Sequence, residues 1–434
     1  MSTTVASNPL GSESVTKLML KFSIPSIISM LVGALYNIVD QLFIGQAVGM
    51  LGNAATNVAF PLSTSCIALA LLFGIGGAAC FNLKMGAGEK EDAAYAFGNA
   101  FSMLVISGVL LAAVSLIFLN PLLRLFGAPD NVMPYAEEYV RITAFGFPLL
   151  IITAGGGHLI RADGSPTMTM VCNLAGAIIN TILDAIFVLG LDWGMAGAAY
   201  ATVIGQVVTL FVSMLFHYKF NKEIDGSIKF MKPEKSVISA IYRVGVPAIL
   251  MQALMSIMTY GINIIFGMVS AFAVTAYGVY YKIQQFVFFS AFGMNNAIIP
   301  IVSFNYGMKS RQRVMEAIKW GIIYTLILML IGELGLQIFA APLSKVFALS
   351  EESCQLFIKA IRIVTFGYLF AGFNIACQGI LQALGSGVKS LIISFIRLIA
   401  AVFPLAYLFT FFANAEDLIW FCLLYTSPSP RDGA

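Results

Sequence analysis

Charge is scarce in this sequence: Asp, Glu, Lys and Arg make up 10% of 434 residues, against about 25% in an ordinary soluble domain. With 59% hydrophobic residues and a mean hydropathy of +0.90, that scarcity excludes a soluble protein, and it equally excludes a disordered chain, collagen or a coiled coil. Lys and Arg nowhere form the accessible cluster that a phosphate backbone requires, so nucleic acid is not a partner. Histidine is down to two residues, His158 and His217, neither with a metal-ligating partner near it in sequence. The six cysteines (Cys66, Cys80, Cys172, Cys354, Cys377, Cys422) show no CxxC and no metal spacing, and read as packing residues. No GxxxxGK[ST] occurs, so the chain hydrolyses no ATP itself, and no cofactor is expected. Residues 1–16 lack the short apolar region of a cleaved signal, which leaves the first span as its own insertion signal.

What remains is apolar runs of about 20 residues separated by short polar gaps, the pattern of a many-spanning helical membrane protein. The runs fall near 18–48, 54–83, 94–119, 139–160, 168–191 and 196–218. A polar stretch over 219–235 separates them from runs near 237–269, 274–304, 317–341, 357–384 and 390–412. A twelfth begins near Leu418 but offers only eight residues before the polar stretch 426–434, which points to a truncated last helix with a non-native tail.

The chain repeats itself. A shift of about 222 residues lays Pro25 on Pro247 and Gly45 on Gly267; neighbouring shifts lay Phe81-Asn82 on Phe304-Asn305, Arg141 on Arg362 and Gly164-Ser165 on Gly385-Ser386. The expected architecture is therefore all-α, about 12 transmembrane helices in two pseudo-symmetric six-helix lobes. Its parts are an N-terminal tail (1–16), an N-lobe (17–218), an inter-lobe linker (219–235) and a C-lobe (236–425). Six spans return the chain to its starting side, so the lobes share one orientation about an axis along the membrane normal. The short loops on the side of the N-terminus hold 16 Lys and Arg against five on the other, which predicts cytoplasmic termini in a plasma (inner) membrane.

Ionised side chains within spans cost about 2.5–3.5 kcal/mol each near the bilayer centre, so the exceptions are functional candidates. They are Asp40, Asp184, Glu333, Lys282 and Arg397. Asp40 lies about 8 residues before the far end of span 1 and Asp184 about 7 before that of span 5; at 1.5 Å per residue both sit roughly 10–12 Å deep. Asn180 shares a helix face with Asp184, and Thr202, on the descending span 6, reaches the same layer. These four residues form a candidate site for a proton or a hard cation such as Na⁺. The repeat places Ile262, Ala401 and Leu405 at the equivalent positions, which confines the site to the first half. Polar Asn37 and Gln41 on span 1, together with Met251, Gln252, Met255, Gln284 and Gln378, are candidate lining for a substrate cavity. Pro25 removes a helix hydrogen bond and is a candidate hinge. The run Gly74-Ile75-Gly76-Gly77-Ala78-Ala79 mimics a dinucleotide fingerprint, but it sits in no βαβ unit and reads as close helix packing.

Tyr36-Asn37-Ile38-Val39-Asp40, Phe43-Ile44-Gly45, Gly86-Ala87-Gly88 and Arg161-Ala162-Asp163-Gly164-Ser165-Pro166, with second-half echoes at Asn305-Tyr306-Gly307-Met308-Lys309 and Gln382-Ala383-Leu384-Gly385-Ser386, follow in an order that resembles the multidrug and toxic compound extrusion (MATE) transporters. The resemblance covers about residues 18–412. It implies export of cationic, often aromatic compounds by alternating access, driven by H⁺ or Na⁺, and it assigns an N-lobe cation site to Asp40, Asn180, Asp184 and Thr202. In another branch, acids stand on helices 7 and 10; here those helices carry Gln252, Asn374 and Gln378. A monomer exchanging small apolar or cationic molecules with the coupling ion is the expectation. The alternatives are a lipid-linked precursor flippase, which needs a basic cavity, and an intramembrane aspartyl protease, whose GxGD motif is missing.

Overall fold

The computed structural model describes residues 8–220, 227–346, 350–412 and 415–424. The expected polar tail at 426–434 lies outside them. The described residues form helices and their connections, with no strand, as they must where no water satisfies backbone groups across the hydrocarbon. A short helix, α1 (Pro9–Ser12), is followed by α2 (Val15–Ala47), α3 (Met50–Ala87), α4 (Lys90–Ile117), the short α5 (Leu119–Leu125), α6 (Met133–Ala162), α7 (Pro166–Asp184) and α8 (Gly194–Phe220). The second half holds α9 (Lys235–Val269), α10 (Ala271–Gly307), α11 (Arg311–Val346), α12 (Glu351–Val364), α13 (Tyr368–Ala383), α14 (Gly387–Phe395), α15 (Val402–Phe409) and α16 (Ala415–Leu424). Eleven helical stretches among the described residues are long and apolar enough to cross a membrane. α16 has ten residues, too few to do so.

Three spans that read as continuous runs are interrupted. Between α12 and α13 a 3₁₀ turn covers Thr365–Gly367. There the Thr365 hydroxyl donates back to the Ile361 carbonyl (2.7 Å) and accepts from Gln337 Nε2 (2.7 Å), a side-chain competition that loosens the helix ladder. Two π-helical turns occur, at Ala185–Gly190 directly after Asp184 and at Ile396–Ala401, which contains Arg397. Wide turns of this kind are rare and cluster at functional positions. α2, by contrast, runs without interruption through the buried Pro25.

Two apolar cores form. One is built mainly by α2–α6 and α8 with the parts of α9–α11 and α13 on the side of the N-terminus; the other lies within the second half, around Phe266, Tyr277, Tyr368 and Trp420. The halves interlock on the side of the N-terminus by backbone contact. Gly76 lies against the carbonyl of Ile241 and Gly245 against that of Leu72, while Gly86 meets the carbonyl of Phe304 and Gly307 that of Leu83. A Cβ on any of these glycines would collide with backbone, so the sequence must spend glycine there. Further along α10, Gly293 packs on Ile27 of α2 in the same way.

Two polar clamps secure that side. Residues 8–14, read as the end of a tail, hold α1 and its buried Leu10 against the α10–α11 turn: Arg313 donates to the carbonyls of Leu10 (3.0 Å) and Glu13 (2.7 Å) and to Asn305 Oδ1 (2.7 Å). The C-terminal part of the linker docks on α4. Fully buried Asn99 donates to the carbonyls of Phe230 (3.2 Å) and Lys232 (3.1 Å) and accepts from the Glu234 amide (2.8 Å), and the Phe230 ring stands edge-on to Tyr95 at 4.9 Å.

Candidate functional site

Asp40 stands in the last two turns of α2 and Asp184 ends the α-helical part of α7, where the backbone widens into its π turn. Both side chains are buried, at 7% and 0% exposure, and their carboxyl groups lie within hydrogen-bonding range of each other. The Asn180 amide, one turn before Asp184, donates to Asp184 Oδ2 (3.3 Å) and accepts from the Thr202 backbone N–H (3.2 Å). All four residues of the expected constellation therefore meet, on α2, α7 and α8. One oxygen of each carboxylate, Oδ1 in both, faces no protein donor. Two unit charges about 4 Å apart repel by roughly 4 kcal/mol at an effective dielectric constant near 20. A positive species held by both oxygens removes that penalty, and carboxylate, amide and hydroxyl oxygens suit a proton or a hard cation.

Two tyrosines complete the surroundings. Tyr36, one turn before Asp40, lies within electrostatic reach of both carboxyls, and Tyr139 of α6 lies near the pair and the Thr202 side chain. Their significance escaped the sequence reading. Tyr36 was findable, being four residues from Asp40 on the same helix face. Tyr139 was not, since only the packing of α6 brings it in.

A cavity of about 260 Å³ opens inside the first half, between α2, α6, α7 and α8. Tyr36, Asn37, Asn180 and Thr202 line it beside Gln206 and Asn173. The carboxylates themselves stand outside its wall, so Tyr36, Asn180 and Thr202 join the cavity to the acid pair. Gln41 is not part of that lining; its Oε1 accepts from the Thr56 hydroxyl (3.0 Å). In the second half, Met255 and Gln284 line a smaller cavity, Met251 is buried with its sulfur accepting from Ser390 Oγ (3.1 Å), Gln252 is exposed, and Gln378 donates to Ser394 Oγ (2.9 Å). Glu333 is buried with Oε2 unpartnered and acts on Tyr368; Lys282 is exposed. His217 stacks on Phe97 at 6.1 Å in an apolar pocket at the linker end of the first half. At the equivalent second-half position of Asp40, Ile262 is fully buried in apolar core.

A model of the MatE family matches the chain twice, over residues 25–186 and 247–408. The chain belongs to the MatE family. Both matches fall where the internal repeat lies. Among MatE relatives, a protein of Staphylococcus haemolyticus named multidrug export protein MepA is 23% identical over 412 residues, covering 95% of this chain and 91% of the relative. The protein of that name from Staphylococcus aureus (strain NCTC 8325) is 26% identical over 425 residues with the same coverage. Of solved structures, a crystal structure of MATE in complex with MaD3S superposes with a TM-score of 0.90 at 26% identity, over 96% of this chain and 93% of that one. The outward-facing conformation of a multidrug resistance MATE transporter superposes at 0.87 and 25%, over 96% and 94%.

Proposed function

We propose that this MatE protein exports lipophilic, cationic small molecules across the plasma membrane by alternating access, in exchange for H⁺ or Na⁺ taken up at Asp40 and Asp184. The carrying observation is the pair of buried, neighbouring carboxyls, each with an unpartnered oxygen, joined through Tyr36 and Asn180 to a cavity large enough for part of a drug-sized ligand. The names of the relatives support the multidrug reading.

Asp40 and Asp184 bind the coupling ion; Asn180 and Thr202 hold the second carboxylate and its approach; Asn37 faces the cavity. Binding relieves repulsion across α2 and α7, and any such energy that differs between two conformations shifts their populations: about 3 kcal/mol is a factor near 150. α2 also contributes Ile27 to the interlock between halves, so a tilt of α2 about Pro25 on ion binding transmits to the closed side. With cytoplasmic termini, the interlocked side is the cytoplasmic one. The N-lobe (17–218) is the ion-binding unit and a monomer suffices.

The test is efflux of a fluorescent lipophilic cation from cells or proteoliposomes, with the proton and sodium gradients collapsed separately. Collapse of one gradient should abolish efflux, and Asp40→Asn should reduce ion-driven efflux at least tenfold while the protein remains folded. Unchanged efflux in Asp40→Asn overturns the coupling scheme.

A further inference from the structure

The second half contains a half-buried cation that the ion-coupling scheme does not use. Arg397 projects from the π turn Ile396–Ala401 into a partly open cavity of about 40 Å³, bounded by α9, α10, α13 and α16. Its protein partner is the side-chain oxygen of Asn374, which accepts from Nε and Nη1 at 2.9 Å each. No carboxylate among the described residues pairs with it; the buried Glu333 of this half lies within electrostatic reach of Tyr368.

An arginine stays charged in a protein, and a neutral amide satisfies hydrogen bonds without neutralising charge. At membrane depth, such a group is expensive and marks a functional position. Around the guanidinium stand Gln284 and Gln285 and the rings of Tyr277, Tyr280 and Tyr281, with the Tyr280 hydroxyl 3.4 Å from that of Tyr368. The remaining guanidinium N–H groups keep the forked geometry that matches a planar oxyanion. The volume exceeds the roughly 10–15 Å³ a single water needs but is far below that of a drug-sized pocket, about 300 Å³ or more.

We propose that this cavity binds the oxyanion head group, carboxylate or sulfonate, of an amphipathic aromatic compound, with Arg397 as its charged contact. The head group enters and the ring system remains at the open mouth, against Met255 and the tyrosines. The chain thus carries recognition for negative charge in one half and for positive charge in the other, and zwitterionic compounds satisfy both. This goes beyond the cation-export reading and does not depend on it, because binding is measured without transport.

Binding of radiolabelled naphthalene-1-carboxylate to the full chain in lipid nanodiscs, with naphthalene-1-carboxamide as the uncharged counterpart, tests the proposal. The wild-type protein should bind the carboxylate at least tenfold more tightly than the carboxamide. Arg397→Gln should abolish that preference while leaving carboxamide affinity within twofold, and Arg397→Lys should retain part of it. Equal affinity of the wild type for the two probes, or an unchanged preference in Arg397→Gln, overturns the proposal. If Arg397→Gln fails to fold, the comparison of the two probes on the wild type decides by itself. Cation efflux by the same preparation in proteoliposomes is a separate readout: its loss refutes the export reading and leaves the anion site standing.

Discussion

Replacing Gly245 by alanine is a direct probe of how the halves are held. A Cβ at that position would press on the carbonyl of Leu72, with the Leu72 C at 2.8 Å and Cα at 3.0 Å, where ordinary van der Waals contact needs about 3.5–4.0 Å. The obstacle is backbone in the middle of α3, which cannot rotate away as a side chain would, so α9 and α3 must part by roughly an ångström. Overpacking of that kind costs about 1–3 kcal/mol. Because the contact joins the two halves, opening the interlocked side relieves the strain, and the open population should rise by a factor of about 5 to 150. Pulsed electron-spin distance measurements between labels at Glu91 and Gln312, exposed positions on the interlocked side of the two halves, should show a longer component growing in Gly245→Ala. Gly335→Ala is the control, because nothing lies within 4 Å of its Cβ; it should leave the distribution unchanged. An identical distance distribution in Gly245→Ala and wild type refutes the view that backbone contact at α3 and α9 sets the closed side.

The two polar clamps give further expectations. Asn99→Ala strips three hydrogen bonds from the linker and leaves the Phe230 and Lys232 carbonyls and the Glu234 amide without that partner, at about 1–3 kcal/mol for each group left buried; thermal unfolding in detergent should fall by several degrees, and limited proteolysis should cut the linker sooner. Arg313→Ala removes the charged hydrogen bonds that hold α1 on the α10–α11 turn, so hydrogen exchange at residues 8–14 should accelerate while the second-half core around Trp420 keeps its protection.

Much of this molecule is legible because a bilayer tolerates few solutions. Apolar runs had to become helices, and their order and lengths follow from hydropathy; the repeat follows from spacing, and the twofold family match falls on the same segments. Depth is legible too, since a helix advances 1.5 Å per residue, and that rise alone puts Asp40, Asn180, Asp184 and Thr202 in one layer. Azimuth is not legible from one sequence. Which face of α6 turns inward decides that Tyr139 joins the acid pair, and the crossing of α3 with α9 and α10 decides which glycines touch which carbonyls. Nor does one sequence show that two helices widen into π turns, one directly after Asp184 and one that contains Arg397. A lone Arg397 in the sequence could face lipid headgroups, an acid or a cavity, and only packing against α9, α10 and α13 sets it beside Asn374 with its charge unmatched. Length and polarity are properties of single segments, whereas the pairing of faces is a property of the assembled bundle.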